Sequence, residues 1–359
     1  MDSRYFSKIV AEWYKINKRE LPWRDTKDPY RIWLSEVILQ QTRINQGLPY
    51  YVKFIEAFQS VVDLANAPEQ KVLRLWQGLG YYTRARNLHK CAKEVVNKYH
   101  GAFPESFEAL KTLPGIGDYT AAAIASIAFG EQVAVVDGNV SRVLSRIFGI
   151  ETPINSPEGK KVFFALANKL IPATNPDLHN QAVMEFGALF CTPKNPSCYT
   201  CPFKISCVAQ KKSLQQVLPV KHRIKKIRKR YFYYFTIQKG KSLLMKKRNE
   251  KDIWRELYDF YLVERKRSAD PVKLLSEDEM LKKLSGRKKI TEISGVYKHV
   301  LSHQVIFSRF IQLKLSGSPS WNSSGLKFYS LKKVAELPKP VLISRFLIDY
   351  QFCSSAKDW

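Results

Sequence analysis

Four cysteines lie close together in the stretch CTPKNPSCYTCPFKISC, at Cys191, Cys198, Cys201 and Cys207. Their spacing is C-x6-C-x2-C-x5-C, and a set of four thiolates can hold either zinc or a [4Fe–4S] cluster. Zinc sites usually combine two short C-x2-4-C pairs, whereas Cys198 and Cys201 form the single short pair of this sequence. The spacing therefore predicts a metal centre and favours the cluster over zinc.

Two carboxylates occupy positions that could divide acid catalysis between them. In YRIWLSEVILQQT, Glu36 shares a predicted helix face with Ile32, Trp33 and Leu39, and apolar neighbours favour the neutral form of a carboxyl group. Asp137 follows the run VAVV and precedes a predicted helix, where the helix dipole favours the anion. The alternatives are a surface glutamate and an ordinary helix N-cap. A protonated Glu beside an ionised Asp would combine a general acid with charge stabilisation.

The stretch LPGIGDYT places Gly115 and Gly117 just before a predicted helix. Glycines allow a tight turn without side chains, and the free N–H groups at a helix N-terminus suit a phosphate. The preceding segment ESFEALKTL predicts another helix, so residues 106–130 form a helix–hairpin–helix candidate. An ordinary helix connection is the alternative, and the basic charge of the chain favours contact with DNA phosphates.

The elements that must position these groups fall into two classes. Residues 1–211 predict an all-α domain, since segments such as YRIWLSEVILQQT and NVSRVLSRIFG repeat apolar residues every three or four positions. Residues 212–230 read as a basic linker. Residues 231–359 predict a smaller α+β domain, with a hairpin about the Lys-Gly turn of YFYYFTIQKGKSLLMKKR and a closing helix.

Composition limits the classes of function. The 359 residues are 45% hydrophobic and 13% aromatic, which is enough for packed cores, and the formal net charge is +27. Such a charge indicates a polyanionic partner, with nucleic acid favoured over an anionic membrane surface. The sequence has no apolar run of transmembrane length and no signal-peptide core at its start. We therefore expect an intracellular, cytoplasmic protein whose cysteines are thiols or ligands.

The motifs LPGIG and VVDGNV, followed by the four cysteines, resemble the helix–hairpin–helix DNA glycosylase superfamily. The resemblance covers the predicted helical domain and points to the iron–sulfur branches, endonuclease III and MutY. Lyase members carry a nucleophilic lysine two residues after the second glycine, because an amine is needed to form a Schiff base. This sequence has Tyr119 there, and LPWRDTKDPYRIWLSEVILQQT and GLGYYTRARNLH also resemble the MutY branch.

The resemblance implies a role for each matching residue of the helical domain. Glu36 would be the general acid that protonates adenine, and Asp137 would stabilise the positive charge that develops on the sugar. Tyr119 and Asn139 would support these two groups. The four cysteines would hold a [4Fe–4S] cluster.

Gln41 and Tyr81 match the residues that fill and wedge the opened duplex in this superfamily, although core packing would equally explain a tyrosine. In the C-terminal domain, YKHVLSHQ resembles the segment that reads 8-oxoguanine, with Ser302 and His303 kept and Leu301 in place of phenylalanine. The domain resembles the Nudix-like domain of the MutY branch. It has no Nudix hydrolase signature, so nucleotide hydrolysis is not expected.

The implied function is monofunctional hydrolysis of adenine mispaired with 8-oxoguanine or guanine in double-stranded DNA, by a monomer without membrane attachment. A pyrimidine-lesion glycosylase-lyase similar to endonuclease III is one alternative, and Tyr119 and the long C-terminal domain argue against it. The other is a lesion-binding protein without catalysis, against which the pair of Glu36 and Asp137 argues.

Overall fold

A computed structural model describes residues 2–222, 227–282, 288–301, 303–315 and 325–352. The chain divides into two compact units. The first comprises Met1–Ala67 and Arg86–Ile224, and the second comprises Pro68–Ala85 and Lys225–Trp359. Among the described residues, no helix is long and apolar enough to cross a membrane.

The first unit is built from helices. They are α1 (Ser3–Asn17), α2 (Pro29–Leu39), α3 (Ile44–Ala57), α4 (Val61–Asn66), most of α6 (Thr83–Tyr99), α7 (Phe107–Lys111), α8 (Asp118–Ala128), α9 (Gly138–Phe148), α10 (Pro157–Leu170), α11 (Pro176–Leu189) and α12 (Val208–Lys211). Proline opens α2, α10 and α11, where its missing N–H costs no helical hydrogen bond. These bounds confirm the all-α prediction for this part of the chain.

Helix α8 runs through the interior of the helical unit. It is buried throughout Thr120–Ile127 and packs against α2, α7 and α11, which its run of alanines permits by leaving room for close approach. A second core joins α1, α9, α10 and α11 to the cysteine-containing loop, where the Phe203 ring stacks on Phe6 at 5.3 Å and meets Phe186 edge-on at 5.6 Å. The catalytic candidates on α2, α8 and α9 therefore rest on rigid elements.

The second unit is a mixed sheet with helices. Its elements are α5 (Glu69–Leu75), β1 (Arg228–Lys239), β2 (Ser242–Lys247), β3 (Tyr258–Asp259), β4 (Tyr261–Arg265), α13 (Pro271–Glu277), α14 (Glu279–Lys282), β5 (Lys288–Ile293), β6 (Tyr297–Val300), β7 (Gln304–Leu315), β8 (Leu326–Ser330), α15 (Leu331–Glu336) and α16 (Val341–Asp349). The strand order is β3-β2-β1-β7-β5, and β4, β6 and β8 pair with β1, β7 and β2. Strands β1 and β7 are parallel, and the other pairs are antiparallel.

The sheet confirms the predicted α+β class and the predicted hairpin. Strands β1 and β2 pair with Gln238 opposite Leu243, and Gly240 takes a φ of +55° in the turn. Strand β1 begins at Arg228, inside the segment 212–230 that the sequence presents as a linker. The sequence pattern gave no sign that residues 68–85, between α4 and α6, belong to the sheet unit.

Glu256 has a left-handed backbone, with a φ of +67°. A left-handed backbone strains any residue that carries a Cβ. The Glu256 carboxylate lies 2.5 Å from Lys247 Nζ, and this ion pair offsets part of the strain.

Candidate active site

A cavity of about 610 Å³ in the helical unit brings four of the predicted site residues together. Glu36 reaches it from α2, Tyr119 from the first turn of α8, and Asp137 and Asn139 from the start of α9. Apolar side chains, among them Leu21, line it together with these polar groups. Polar and apolar groups share the lining, and a cavity in which polar groups converge in this way is a candidate ligand pocket.

Glu36 is 8% exposed, and the Tyr119 hydroxyl donates to its Oε2 over 2.6 Å. Burial raises the pKa of Glu36 to about 7, against the lowering effect of the Tyr119 hydrogen bond. The negative charge of Asp137 raises this pKa further, and Arg24 lowers it. Near neutral pH, Glu36 can therefore hold a proton and release it within the cavity.

Asp137 is the N-cap of α9 and accepts more hydrogen bonds than Glu36. Its Oδ1 accepts from the Val140 N–H and its Oδ2 from Asn139 Nδ2, each over 2.7 Å. Burial raises the pKa of Asp137, while these N–H donors lower it. The net effect is a pKa above the ordinary value for Asp137, and the donors limit this rise because they stabilise the anion. Asn139 is itself fixed, since its Oδ1 accepts from Arg142 Nη2 over 2.8 Å.

The cavity also contains an ion cluster that the sequence analysis missed. Glu185 of α11, 1% exposed, accepts from both Arg19 and Arg24, with contacts of 2.6 to 2.9 Å from each guanidinium. Burial raises the pKa of Glu185, but hydrogen bonds from the two arginines outweigh it and lower the pKa to about 2. Two features of the sequence could have indicated this cluster. Both arginines stand in the segment RELPWRD, and Glu185 occupies a position of α11 where the spacing of apolar residues predicts a buried side chain.

The two glycines of the hairpin differ in what the protein requires of them. Gly115 has a φ of +78°, and a Cβ there would lie 2.6 Å from Asn87 Cβ. Gly117 has a φ of −100°, and a Cβ there would meet nothing within 4 Å. The fold therefore needs a glycine at Gly115, whereas bare backbone at the exposed Gly117 leaves room for something outside the protein.

Gln41 and Tyr81 both lie in loops with a left-handed backbone, at φ of +56° and +48°. Gln41 is exposed just beyond α2, and Tyr81 is 43% exposed in the segment before α6. Residues with side chains rarely adopt such angles, and strain of this kind concentrates at functional sites. Gln41 belongs to the helical unit and Tyr81 to the sheet unit.

The four cysteines are free thiols that influence one another's ionisation. Burial raises the pKa of Cys201 to about 12, and the charges of Cys191, Cys198 and Cys207 raise it further. Arg146, 2% exposed, donates to Cys191 Sγ over 3.4 Å. Within the described ranges, no three or more His, Cys, Asp or Glu side chains converge on the position of a single metal ion.

In the sheet unit, the segment YKHVLSHQ forms β6 and the turn into β7. Leu301 is partly buried, and its N–H donates to the Gln304 carbonyl over 2.8 Å. His303 is exposed, and its carbonyl accepts from the Arg228 N–H over 3.2 Å. Ser302 lies outside the described residues.

Comparison with known proteins identifies the family of the chain. The model of the HhH-GPD superfamily of base excision DNA repair proteins matches residues 34–172. The adenine DNA glycosylase of Buchnera aphidicola subsp. Schizaphis graminum is 35% identical over 344 residues, which cover 94% of this chain and 96% of the relative. The human adenine DNA glycosylase is 42% identical over 222 residues, 59% of this chain and 41% of the human protein.

Among solved structures, a thermostable thymine-DNA glycosylase superposes with a TM-score of 0.55 and 31% identity, covering 58% of this chain and 97% of that one. This solved structure is also a DNA glycosylase, and the Buchnera relatives match nearly the whole chain. The chain therefore belongs to the adenine DNA glycosylase family of the HhH-GPD superfamily and is a DNA glycosylase of base excision repair.

Proposed function

We propose that this DNA glycosylase hydrolyses the N-glycosidic bond of adenine mispaired with 8-oxoguanine or guanine, and that it leaves the DNA backbone intact. The observation that carries the proposal is one cavity that holds a buried carboxyl with a pKa of about 7, a tyrosine hydrogen-bonded to it, and a second carboxylate that accepts from N–H donors. The curated relatives that cover most of the chain are adenine DNA glycosylases.

Glu36 acts as the general acid. Adenine is a poor leaving group as an anion, and protonation at its N7 lets it depart as a neutral base. A carboxyl whose pKa lies near the working pH is suited to this transfer, because a large fraction of it is protonated and it is still acidic enough to transfer the proton. Burial and the negative charge of Asp137 keep the proton on Glu36 until the base is in place.

Asp137 stabilises the cationic sugar that forms as the bond breaks. Its hydrogen bonds from Val140 and Asn139 fix the carboxylate before the reaction, so little reorganisation is needed when the charge appears. Division of acid and charge-stabilising roles between two carboxyls is the logic of glycoside hydrolysis. Tyr119 and Asn139 hold Glu36 and Asp137, respectively, in position.

Tyr119 also makes the enzyme monofunctional. A phenol cannot form the Schiff base with the sugar through which an amine cleaves the strand. The product is an abasic site in an unbroken strand.

DNA enters this scheme through several elements. The N–H groups beside Gly115 and Gly117 bind a phosphate at the start of α8. Adenine must leave the stack, at a cost of a few kcal/mol, and Gln41 and Tyr81 fill and wedge the opened duplex. The double-stranded substrate binds a monomer inside the cell, and its affinity falls as salt rises because the chain is strongly basic.

The donor set of Cys191, Cys198, Cys201 and Cys207 suits a [4Fe–4S] cluster. Cys191, Cys198 and Cys207 lie near enough to Cys201 to raise the pKa of its thiol, and the buried Arg146 provides a positive charge beside Cys191. When bound, the cluster would supply a rigid structural centre rather than redox chemistry for the hydrolysis. Exposed Lys194 and Lys204 would then lie on an ordered loop available to phosphates.

The sheet unit serves as a Nudix-like lesion-recognition domain. A hydroxyl and an imidazole at Ser302 and His303 would detect the N7 hydrogen that distinguishes 8-oxoguanine from guanine. Substitution of Ser302 by alanine should reduce activity opposite 8-oxoguanine more than activity opposite guanine, and equal losses would remove Ser302 from this role.

A single-turnover assay tests the proposed activity. The substrate is a duplex with adenine opposite 8-oxoguanine, labelled on the adenine strand, and half of each sample is treated with alkali before electrophoresis. We expect cleavage after alkali alone, and none of it with Glu36→Gln. Cleavage without alkali would contradict the monofunctional assignment, and no cleavage in either half would contradict the proposed substrate.

A further inference from the structure

We propose that Gln77 is a positioning residue through which the sheet unit holds Tyr81 in its wedging conformation. The inference rests on the proposed role of Tyr81 in opening the duplex. It assigns to the C-terminal part of the chain a task beyond reading the base opposite adenine.

Hydrogen bonds tie the segment 68–85 to the α15–α16 region of the sheet unit. The Gln77 amide is used at both ends, since its Nε2 donates to Ser344 Oγ and its Oε1 accepts from the Lys339 N–H, each over 3.1 Å. Next to Tyr81, the buried Tyr82 donates its hydroxyl hydrogen to the Lys339 carbonyl over 3.2 Å. Residues 76–82, which include Tyr81, are called the wedge loop here. Gln77 and Tyr82 of this loop are thus both held by the segment 339–344.

The wedge loop itself has little regular structure to define its shape. Gly78, Gly80 and Tyr81 have φ of +105°, +73° and +48°. Trp76 Nε1 donates to the Gly80 carbonyl over 2.9 Å, and the Arg84 guanidinium lies over the Trp76 and Tyr81 rings at 5.1 and 5.6 Å. A conformation with this much left-handed backbone persists when its surroundings fix it, and Gln77 immediately follows Trp76.

Lys339, which binds Gln77 through its backbone N–H, is held rigidly in place. Lys339 is fully buried, and its ammonium group donates to the Val334 and Leu337 carbonyls at the end of α15. Positive charge is favourable at a helix C-terminus, so Lys339 is fixed by its side chain while its backbone binds Gln77 and Tyr82.

The same unit carries the segment proposed to read the lesion. On α16, Phe346 stacks on Phe310 of β7 with ring centroids 4.0 Å apart, and β7 pairs with β6. A continuous packed path therefore runs from β6–β7 through α16 to Gln77. The segment that reads the base opposite adenine and the Tyr81 wedge therefore belong to one packed unit. When that segment binds the lesion, Tyr81 is placed at the matching position of the duplex.

A double-mutant cycle tests this assignment on the full-length protein. The variants are Gln77→Ala, Tyr81→Ala and the double variant, compared by the single-turnover rate of adenine release opposite 8-oxoguanine. We expect Gln77→Ala to lower the rate roughly three- to tenfold, the equivalent of about one hydrogen bond, and to have no further effect once Tyr81 is alanine. A 2-aminopurine beside the target adenine should brighten less in Gln77→Ala, because its neighbour leaves the stack less often.

Further variants separate positioning from loss of folding. Ser344→Ala removes one partner of Gln77 and should lower the rate in the same non-additive way. Gln77→Glu keeps the acceptor for the Lys339 N–H and can accept from the Ser344 hydroxyl, so it should stay within about twofold of wild type. Tyr233→Phe is the control, because it removes hydroxyl contacts with Ala269 in the same unit but away from the wedge.

Three results would overturn the inference. The first is an equal loss of rate from Gln77→Ala in the wild-type and Tyr81→Ala backgrounds. The second is a wild-type rate for Gln77→Ala although Tyr81→Ala is slow. The third is a loss of rate from Tyr233→Phe as large as that from Gln77→Ala. If Tyr81→Ala itself were fully active, the wedge assignment would fall and this inference with it. Adenine release by the wild type would still stand on its own.

Discussion

Removal of the Tyr119 hydroxyl should move the alkaline limb of the pH–rate profile upward. Burial raises the pKa of Glu36 to about 7 even though the 2.6 Å hydrogen bond from Tyr119 opposes the rise. A hydrogen bond to a charged group contributes roughly 1.5–3 kcal/mol, and one pH unit corresponds to about 1.4 kcal/mol. In Tyr119→Phe, the pKa of Glu36 should therefore rise by roughly one to two pH units.

The measurement is the single-turnover rate of adenine release between about pH 5 and pH 9.5. A general acid must be protonated, so the wild-type rate should fall as pH rises through about 7. The variant should hold its rate to higher pH. Its plateau should be lower, because the carboxylate left after proton transfer loses the same hydrogen bond and Glu36 becomes a weaker acid.

The sign of the shift distinguishes this account from simple damage to the site. A disturbed cavity would lower the rate at every pH without moving the limb. A limb that stays in place or moves to lower pH would refute the assignment of Glu36 as the acid tuned by Tyr119. Tyr51→Phe is the matched control, because Tyr51 is buried and its hydroxyl has no hydrogen-bond partner among the described residues.

Three further predictions concern the same residues. Gly115→Ala should lower the melting temperature, because Gly115 has a φ of +78° and a Cβ there would collide with Asn87 of α6. Gly117→Ala should melt at the wild-type temperature but bind duplex DNA more weakly. Equal melting temperatures of the two variants would contradict this distinction. The folded-state pKa of Glu36, about 7, exceeds the ordinary 4.5, so stability is lost as pH rises between these values. Glu36→Gln should therefore exceed the wild type by about 3 kcal/mol in urea unfolding at pH 8 and differ little at pH 5. Asn139→Ala removes a donor to Asp137, which should raise the pKa of Asp137 and move the acid limb of the pH–rate profile upward, and an unchanged acid limb would count against Asp137 acting as the anion.

Local patterns predicted the parts of the site that depend on neighbouring residues. Asp137 caps α9 through Val140, three residues along the chain, and the glycines of the hairpin precede α8 directly. Helix periodicity and the hairpin turn were likewise readable, because each depends on a few consecutive residues. The joint action of Glu36 and Tyr119, which are 83 positions apart, came from family resemblance and not from any pattern.

Contacts between distant parts of the chain had no such signal. Glu185 joins arginines 161 and 166 positions away, and a single sequence gives no means of pairing them. The segment 68–85 reads as one more amphipathic helix and loop in a helical region. Its periodicity shows that one face is buried, but the core that buries it depends on Gln77 and Tyr82 meeting residues more than 250 positions later.

Tyr119 links the proposed monofunctional character of the enzyme to the acidity of Glu36. Its hydroxyl lies 2.6 Å from the Glu36 carboxylate and modifies a pKa that burial raises. An ammonium group placed close to the same carboxylate would stabilise the anion far more strongly than a neutral phenol does. Glu36 would then be ionised at neutral pH and could not protonate a base. A lysine ammonium at position 119 would therefore oppose protonation of Glu36 at neutral pH, whereas the tyrosine, which cannot form a Schiff base, leaves the proposed acid protonated.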